Sequence, residues 1–107
     1  MSNRAVVFEI STTKYEIDRE LVSSVMKDLQ SSCGITDGFL LSEPIEKFGW
    51  SFFKVLFKSE LFAGMQEKFG TQIMDTKGKA FQDKFTGFVT KFFESKNCKV
   101  RMKLLED

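Results

Sequence analysis

Histidine is missing from the sequence altogether. That removes the one side chain that ordinarily titrates near neutrality, the commonest transition-metal ligand, and every Ser-His or Cys-His nucleophile arrangement. Cysteine is scarce too: Cys33 and Cys98 stand far apart with no second Cys or His at ligand spacing. Neither a zinc site nor a CxxC redox motif can be built from them, so two free thiols are expected. Proline occurs once, at Pro44. The seven glycines never fall at the spacing of a phosphate-cradling loop or of GxGxxG. Long apolar runs are absent as well. The longest, Trp50 to Phe57, contains Lys54 and is far short of the ~20 residues needed to span a bilayer. Net charge is nearly absent, with 16 Lys and Arg against 15 Asp and Glu, so long-range electrostatics do not organise the chain as they do a histone-like protein.

What is present is a globular composition: 107 residues, 42% hydrophobic, 29% charged, with thirteen Phe. This length holds one hydrophobic core, and a single α+β domain over residues 1–107 is expected. The N-terminus runs from Arg4 into an apolar stretch interrupted by Glu9, without the pattern of a secretion signal, and the expectation is a soluble cytoplasmic protein.

The apolar period switches along the chain. Ala5 to Ile10 is β-branched and aromatic and reads as a first strand closed by Ser11-Thr12-Thr13. From about Glu16 to Ser32, Leu21, Val25, Leu29 and Cys33 recur every fourth residue, which predicts a helix stopped by Gly34 and capped by Thr13 with Glu16 or by Asp18. Gly38 to Ser42 reads as a short strand ended by Pro44. Gly49 to Lys58 reads as a central strand with Phe53, Val55 and Phe57 on one side and Trp50, Phe52, Lys54 and Leu56 on the other. Ser59 then opens a short helix ended by Gly70, and Thr71 to Met74 could add a strand. Lys77 to Lys96 carries a Phe81, Phe85, Phe88, Val89 and Phe92 stripe and predicts a helix capped by Asp75 or Thr76 and ended by Asn97. That stripe is assigned to core packing, in preference to a membrane or partner groove. Cys98 to Leu105 alternates as a final strand, with Lys99, Arg101 and Lys103 opposite Val100, Met102 and Leu104. This order predicts a ferredoxin-like (split βαβ) four-stranded antiparallel sheet with helices on one face and an extra helix before the last strand.

Strand parity then defines a candidate site. The sheet face turned away from the helices should present Trp50, Phe52 and Lys54 from one strand and Lys99, Arg101 and Lys103 from another, with Glu9 between them. Aromatics and cations sharing an open surface suit a binding role. The segment Gly49-Trp50-Ser51-Phe52-Phe53-Lys54-Val55 resembles the RNP1 segment of RNA-recognition motifs. The likeness implies that Trp50 and Phe52 stack on bases of single-stranded RNA. It spans under a tenth of the chain and departs at Phe48, Phe53 and Val55, where the family carries a basic, a small aliphatic and an aromatic residue.

Protein contact is the favoured reading, because apolar patches on open sheets serve protein partners or a second copy and the whole chain is nearly neutral. Against that, Lys68 to Lys103 holds nine cations and only Asp75, Asp83 and Glu94 as acids. A catalytic reading has little support. Asp37, Glu43 and Glu46 could hold a divalent cation for a nuclease, but their spacing resembles no metal-binding loop. The sequence therefore predicts a small non-enzymatic binding or regulatory module, an inhibitor, antitoxin-like or adaptor protein, acting on a protein partner or as a homodimer. Single-stranded RNA is the alternative ligand, and no cofactor, metal or membrane is expected.

Overall fold

Strict alternation builds the sheet. In the computed structural model, which describes residues 5–105, β1 (Val6–Thr12) buries Val6, Phe8, Ile10 and Thr12, and leaves Val7, Glu9 and Ser11 half-buried. Strand β4 (Trp50–Phe57) buries Ser51, Phe53, Val55 and Phe57. The two lie antiparallel with Phe8 opposite Val55 and Ile10 opposite Phe53, so their apolar faces coincide. On the far side of β1, β5 (Arg101–Leu105) pairs Phe8 with Leu104 and Ile10 with Met102.

The other edge of β4 is divided. Strand β2 (Phe39–Leu41) pairs with its end near Phe57, and β3 (Ile45–Lys47) pairs with its beginning, Ile45 opposite Phe52 and Lys47 opposite Trp50. Pro44, which lacks an N–H, sits between these pieces. At the break the Lys54 N–H donates to the Ser42 hydroxyl at 2.8 Å, and the Ser42 N–H to the Lys54 carbonyl at 2.9 Å. The result is an open five-stranded antiparallel sheet in the order β2-β4-β1-β5, with β3 on β4. The expected four strands are thus corrected to five. Strand β3 is three residues long and exposed throughout, so no burial period marks it in the sequence.

Three helices supply the covering layer: α1 (Tyr15–Ser32), α2 (Ser59–Asp75) and α3 (Phe81–Ser95). Helix α1 buries Val22, Val25, Met26 and Leu29, the three-four spacing of an amphipathic helix. Its start has no side-chain cap. Asp18, expected to cap it, instead accepts a hydrogen bond from the Thr12 hydroxyl, and that hydroxyl accepts the Lys14 N–H at 2.9 Å. Helix α2 does not stop at Gly70. It continues across a kink at Phe69 to bury Ile73, so Thr71 to Met74 is helical. The apolar anchor at Ile73 outweighs a glycine's modest helix penalty, about 1 kcal/mol.

Helix α3 begins four residues later than expected, at Phe81. Neither Asp75 nor Thr76 caps it; the Asp83 carboxylate accepts the Ala80 N–H at 3.4 Å. The Lys84 ammonium donates to the carbonyls of Met74 and Thr76, each at 3.0 Å, and so closes the end of α2 with a positive charge. At the other end Asn97 takes a left-handed conformation, its N–H bonds to the Glu94 carbonyl, and the Cys98 N–H bonds to the Phe93 carbonyl. This is a Schellman closure. It explains why the last strand begins at Arg101 and not at Cys98, because the Cys98 N–H is already committed to α3.

All three helices and the buried sides of β1 and β4 share one hydrophobic cluster. Its aromatic centre is Phe8, Phe57 and Phe85, with ring centroids 5.3 to 6.1 Å apart. Among the described residues no helix is long and apolar enough to cross a membrane.

Candidate binding face

The uncovered side of the sheet is ordered in rows that follow from the register. One row is aliphatic, running Leu40, Leu56, Val7 and Leu105 across β2, β4, β1 and β5. The next is charged, with Glu9 directly between Lys54 and Lys103. The third runs Ile45, Phe52, Ser11 and Arg101, and the last pairs Lys47 with Trp50. With adjacent strands ~4.8 Å apart, Lys54 and Lys103 project roughly 10 Å from one another across Glu9.

Five of the six residues predicted for the site are placed together by these rows. Trp50 is 38% exposed, Phe52 is half-buried, and Lys54, Arg101 and Lys103 are exposed on the same face. Lys99 is the exception. It is exposed but precedes β5, so strand alternation does not aim it at this face, because the Schellman turn holds the chain out of the ladder there. Glu9 lies amid the basic groups as expected, yet among the described residues the ion pairs are Lys58 with Asp37 and Lys96 with Asp28, both elsewhere. Among the described residues the face therefore carries Lys47, Lys54, Arg101 and Lys103 against the carboxylate of Glu9.

Ile45, Lys47 and Phe48 were not anticipated. They belong to a hairpin whose central residues, Phe48 and Gly49, have φ of 54° and 81°, the geometry of a tight turn that ordinarily takes Asn-Gly. Phenylalanine at the first position hides that signal. Phe48 is 99% exposed, so it gains no burial for its left-handed backbone. Replacing Phe48 with Asn should raise stability by about 1 kcal/mol, read as a higher midpoint in urea unfolding with an unchanged slope. An unaltered or lower midpoint would mean that the ring contributes contacts to the folded protein.

The residues considered for chemistry are dispersed. Asp37 pairs with Lys58 at 3.3 Å, and among the described residues no group of three His, Cys, Asp or Glu could hold a metal ion. Both cysteines are free thiols. Burial raises the Cys33 pKa, partly opposed by Lys68. Burial, with Asp18 adding to it, pushes Cys98 from the ordinary 9.0 up to about 11. Neither environment favours a thiolate nucleophile.

A pH dependence follows from Cys98. Its folded-state pKa is raised, so its contribution to stability is complete below 9.0 and is lost as pH rises from 9.0 towards about 11. Unfolding midpoints in urea should fall across that interval, and a Cys98→Ala variant should lose this component of the fall. At neutral pH, iodoacetamide should label Cys33 while Cys98, fully buried, reacts only on unfolding. Equal labelling rates would contradict the packing around Cys98.

Comparison of the chain with protein-family models, with curated proteins and with solved structures finds no match.

Proposed function

We propose that the protein is a non-enzymatic cytoplasmic binding module, of the inhibitor, antitoxin-like or adaptor kind, that holds a protein partner on the open face of its sheet. The architecture is read here as a split βαβ, ferredoxin-like arrangement. In support, β4 lies antiparallel between β1 and the β2/β3 edge, and β5 flanks β1 on the other side.

The observation that carries the functional reading is the composition of the rows. The aliphatic row of Leu40, Leu56, Val7 and Leu105 flanks the charged row of Lys54, Glu9 and Lys103 on one side, and the aromatic Phe52 and Trp50 lie on its other side, so both apolar groups adjoin exposed cations. Aliphatic side chains complement a protein surface and offer nothing for a base to stack on. The carboxylate of Glu9, central in the face, opposes a phosphate backbone and suits a cation of a protein partner. Two copies stacked face to face would set Lys54, Arg101 and Lys103 against their own like charges, so an acidic heterologous partner is favoured over a homodimer.

A photo-crosslinking residue in place of Lys54 is expected to capture a discrete protein in cells that make this protein natively. The same residue in place of Glu67, exposed on α2, should not. Cross-links from both positions, or from neither, would remove the reading.

One observation favours single-stranded RNA as a second reading: among the described residues Lys47, Lys54, Arg101 and Lys103 surround Trp50 and Phe52 with one acid, Glu9, among them. Cross-links destroyed by ribonuclease would promote it. So would saturable quenching of Trp50 fluorescence by short RNA that is lost as salt rises.

A further inference from the structure

Val6 and Leu104 alternate with Val7 and Leu105, so they face the helices, on the side of the sheet opposite the binding face. Beneath α2 and α3 they help to line a cavity of about 260 Å³, together with Phe62, Gln66, Phe81, Gln82 and Phe85. We infer that this cavity is a binding site for a small, neutral, planar aromatic molecule of one or two fused rings bearing a hydrogen-bonding group on its edge.

Shape is the first ground. The Phe81 and Phe85 rings lie nearly parallel, 18° apart with centroids at 5.8 Å, while Phe62 stands perpendicular to Phe85 at 87° and 5.1 Å. These rings already touch one another and Phe85 is 1% exposed, so a flat ligand lies over the half-buried Phe62 and Phe81, whose rings stand 77° apart. It meets one by its face and the other by its edge, contacts that aromatic groups prefer. Size agrees: an apolar cavity of ~150 Å³ accommodates benzene, so 260 Å³ admits a bicyclic ring.

Polarity is the second ground. Among the described residues the lining contains no charged side chain, and its groups would not compensate an ion for the hydration it loses on entering. Among the described lining residues the polar side chains are the Gln66 and Gln82 carboxamides, both on exposed residues. Each offers a donor and an acceptor, the set that reads an N–H or C=O on a heterocycle edge.

Indole is the probe, followed by methyl and amide NMR of the intact protein. Saturable shifts are expected at Val6, Leu104 and the two glutamine side-chain amides, with the Trp50 ring signal unmoved. 1-Methylindole, which lacks the N–H, should bind roughly fivefold more weakly. Gln82→Trp lays a ring over the mouth from an exposed helix position and should weaken indole by about tenfold or more without loss of fold. Absence of saturation up to the solubility limit of indole would overturn the site. Shifts centred on Trp50, or equal affinity in the Gln82→Trp protein, would do the same. Equal affinity for indole and 1-methylindole would overturn the assigned ligand class. Because Trp50 reports the sheet face separately, these outcomes leave the proposed function to its own test.

Discussion

Replacing Phe85 with alanine is expected to lower the unfolding free energy by about 4 kcal/mol, the upper part of the range for a buried aromatic truncated to alanine. Phe85 is 1% exposed and its ring meets Phe8, Phe57, Phe62 and Phe81 at centroid distances from 5.1 to 6.1 Å. Removing it deletes a ring of α3 that touches both central strands and α2 at once. Because the four neighbours belong to different elements, the space cannot collapse by moving one of them, and the cavity remains. A loss of this size is a large share of the roughly 5–15 kcal/mol that holds a domain folded. The melting temperature should fall by roughly 15 °C or more. Phe92→Ala is the comparison, since Phe92 is only half-buried and touches Phe69 and Phe88; about half the effect is expected there. Equal losses at the two positions, measured by urea unfolding, would show that the core is not centred on Phe85.

Trp50→Ala should weaken binding of the protein partner by at least ~2 kcal/mol, or roughly thirtyfold, while changing stability by less than ~1 kcal/mol. Trp50 is 38% exposed at the start of β4 and pairs across the hairpin with Lys47, so its removal leaves the buried side of the strand intact. Large aromatic anchors next to a cation dominate interface energetics because they desolvate a large area at little loss of rotamer freedom. Lys103→Glu acts differently. It should chiefly slow association and flatten its salt dependence, since Lys103 is exposed and contributes to the long-range field. Titration calorimetry and association kinetics with the cross-linked partner separate the two effects. A Trp50→Ala protein that binds normally, or that unfolds at much lower urea, would place Trp50 in packing and not in recognition.

Much of the fold was legible wherever burial imposes a period on consecutive residues. Trp50 to Phe57 alternates over eight positions, enough to assign Phe53, Val55 and Phe57 to the core and Trp50, Phe52 and Lys54 to the open face. The α3 stripe was legible for the same reason, although Phe93, fully buried, lies beside the residues that the stripe picked out. What escaped was decided by hydrogen bonds and contacts between distant segments. Strand β3 exists because Ile45 and Lys47 find Phe52 and Trp50 across a turn that lacks its usual asparagine. Helix α2 passes Gly70 because Ile73 finds a place in the core. Lys99 stands outside the β5 ladder because Asn97 and Cys98 close α3 through the carbonyls of Glu94 and Phe93.

By itself, then, the sequence determined the α+β class, the two faces of the sheet and the identity of its aromatic and basic surface residues. Each of these follows from side-chain periodicity and solvent preference, which are local properties. Only the tertiary structure decided how the edge of β4 is divided at Pro44, where α2 and α3 end, and which residues stand opposite one another. The rows that place Glu9 between Lys54 and Lys103 and the cavity that Val6, Leu104, Phe62 and Phe81 help to line arise from register and packing across elements. Those depend on pairings among residues tens of positions apart, which no window of the sequence contains.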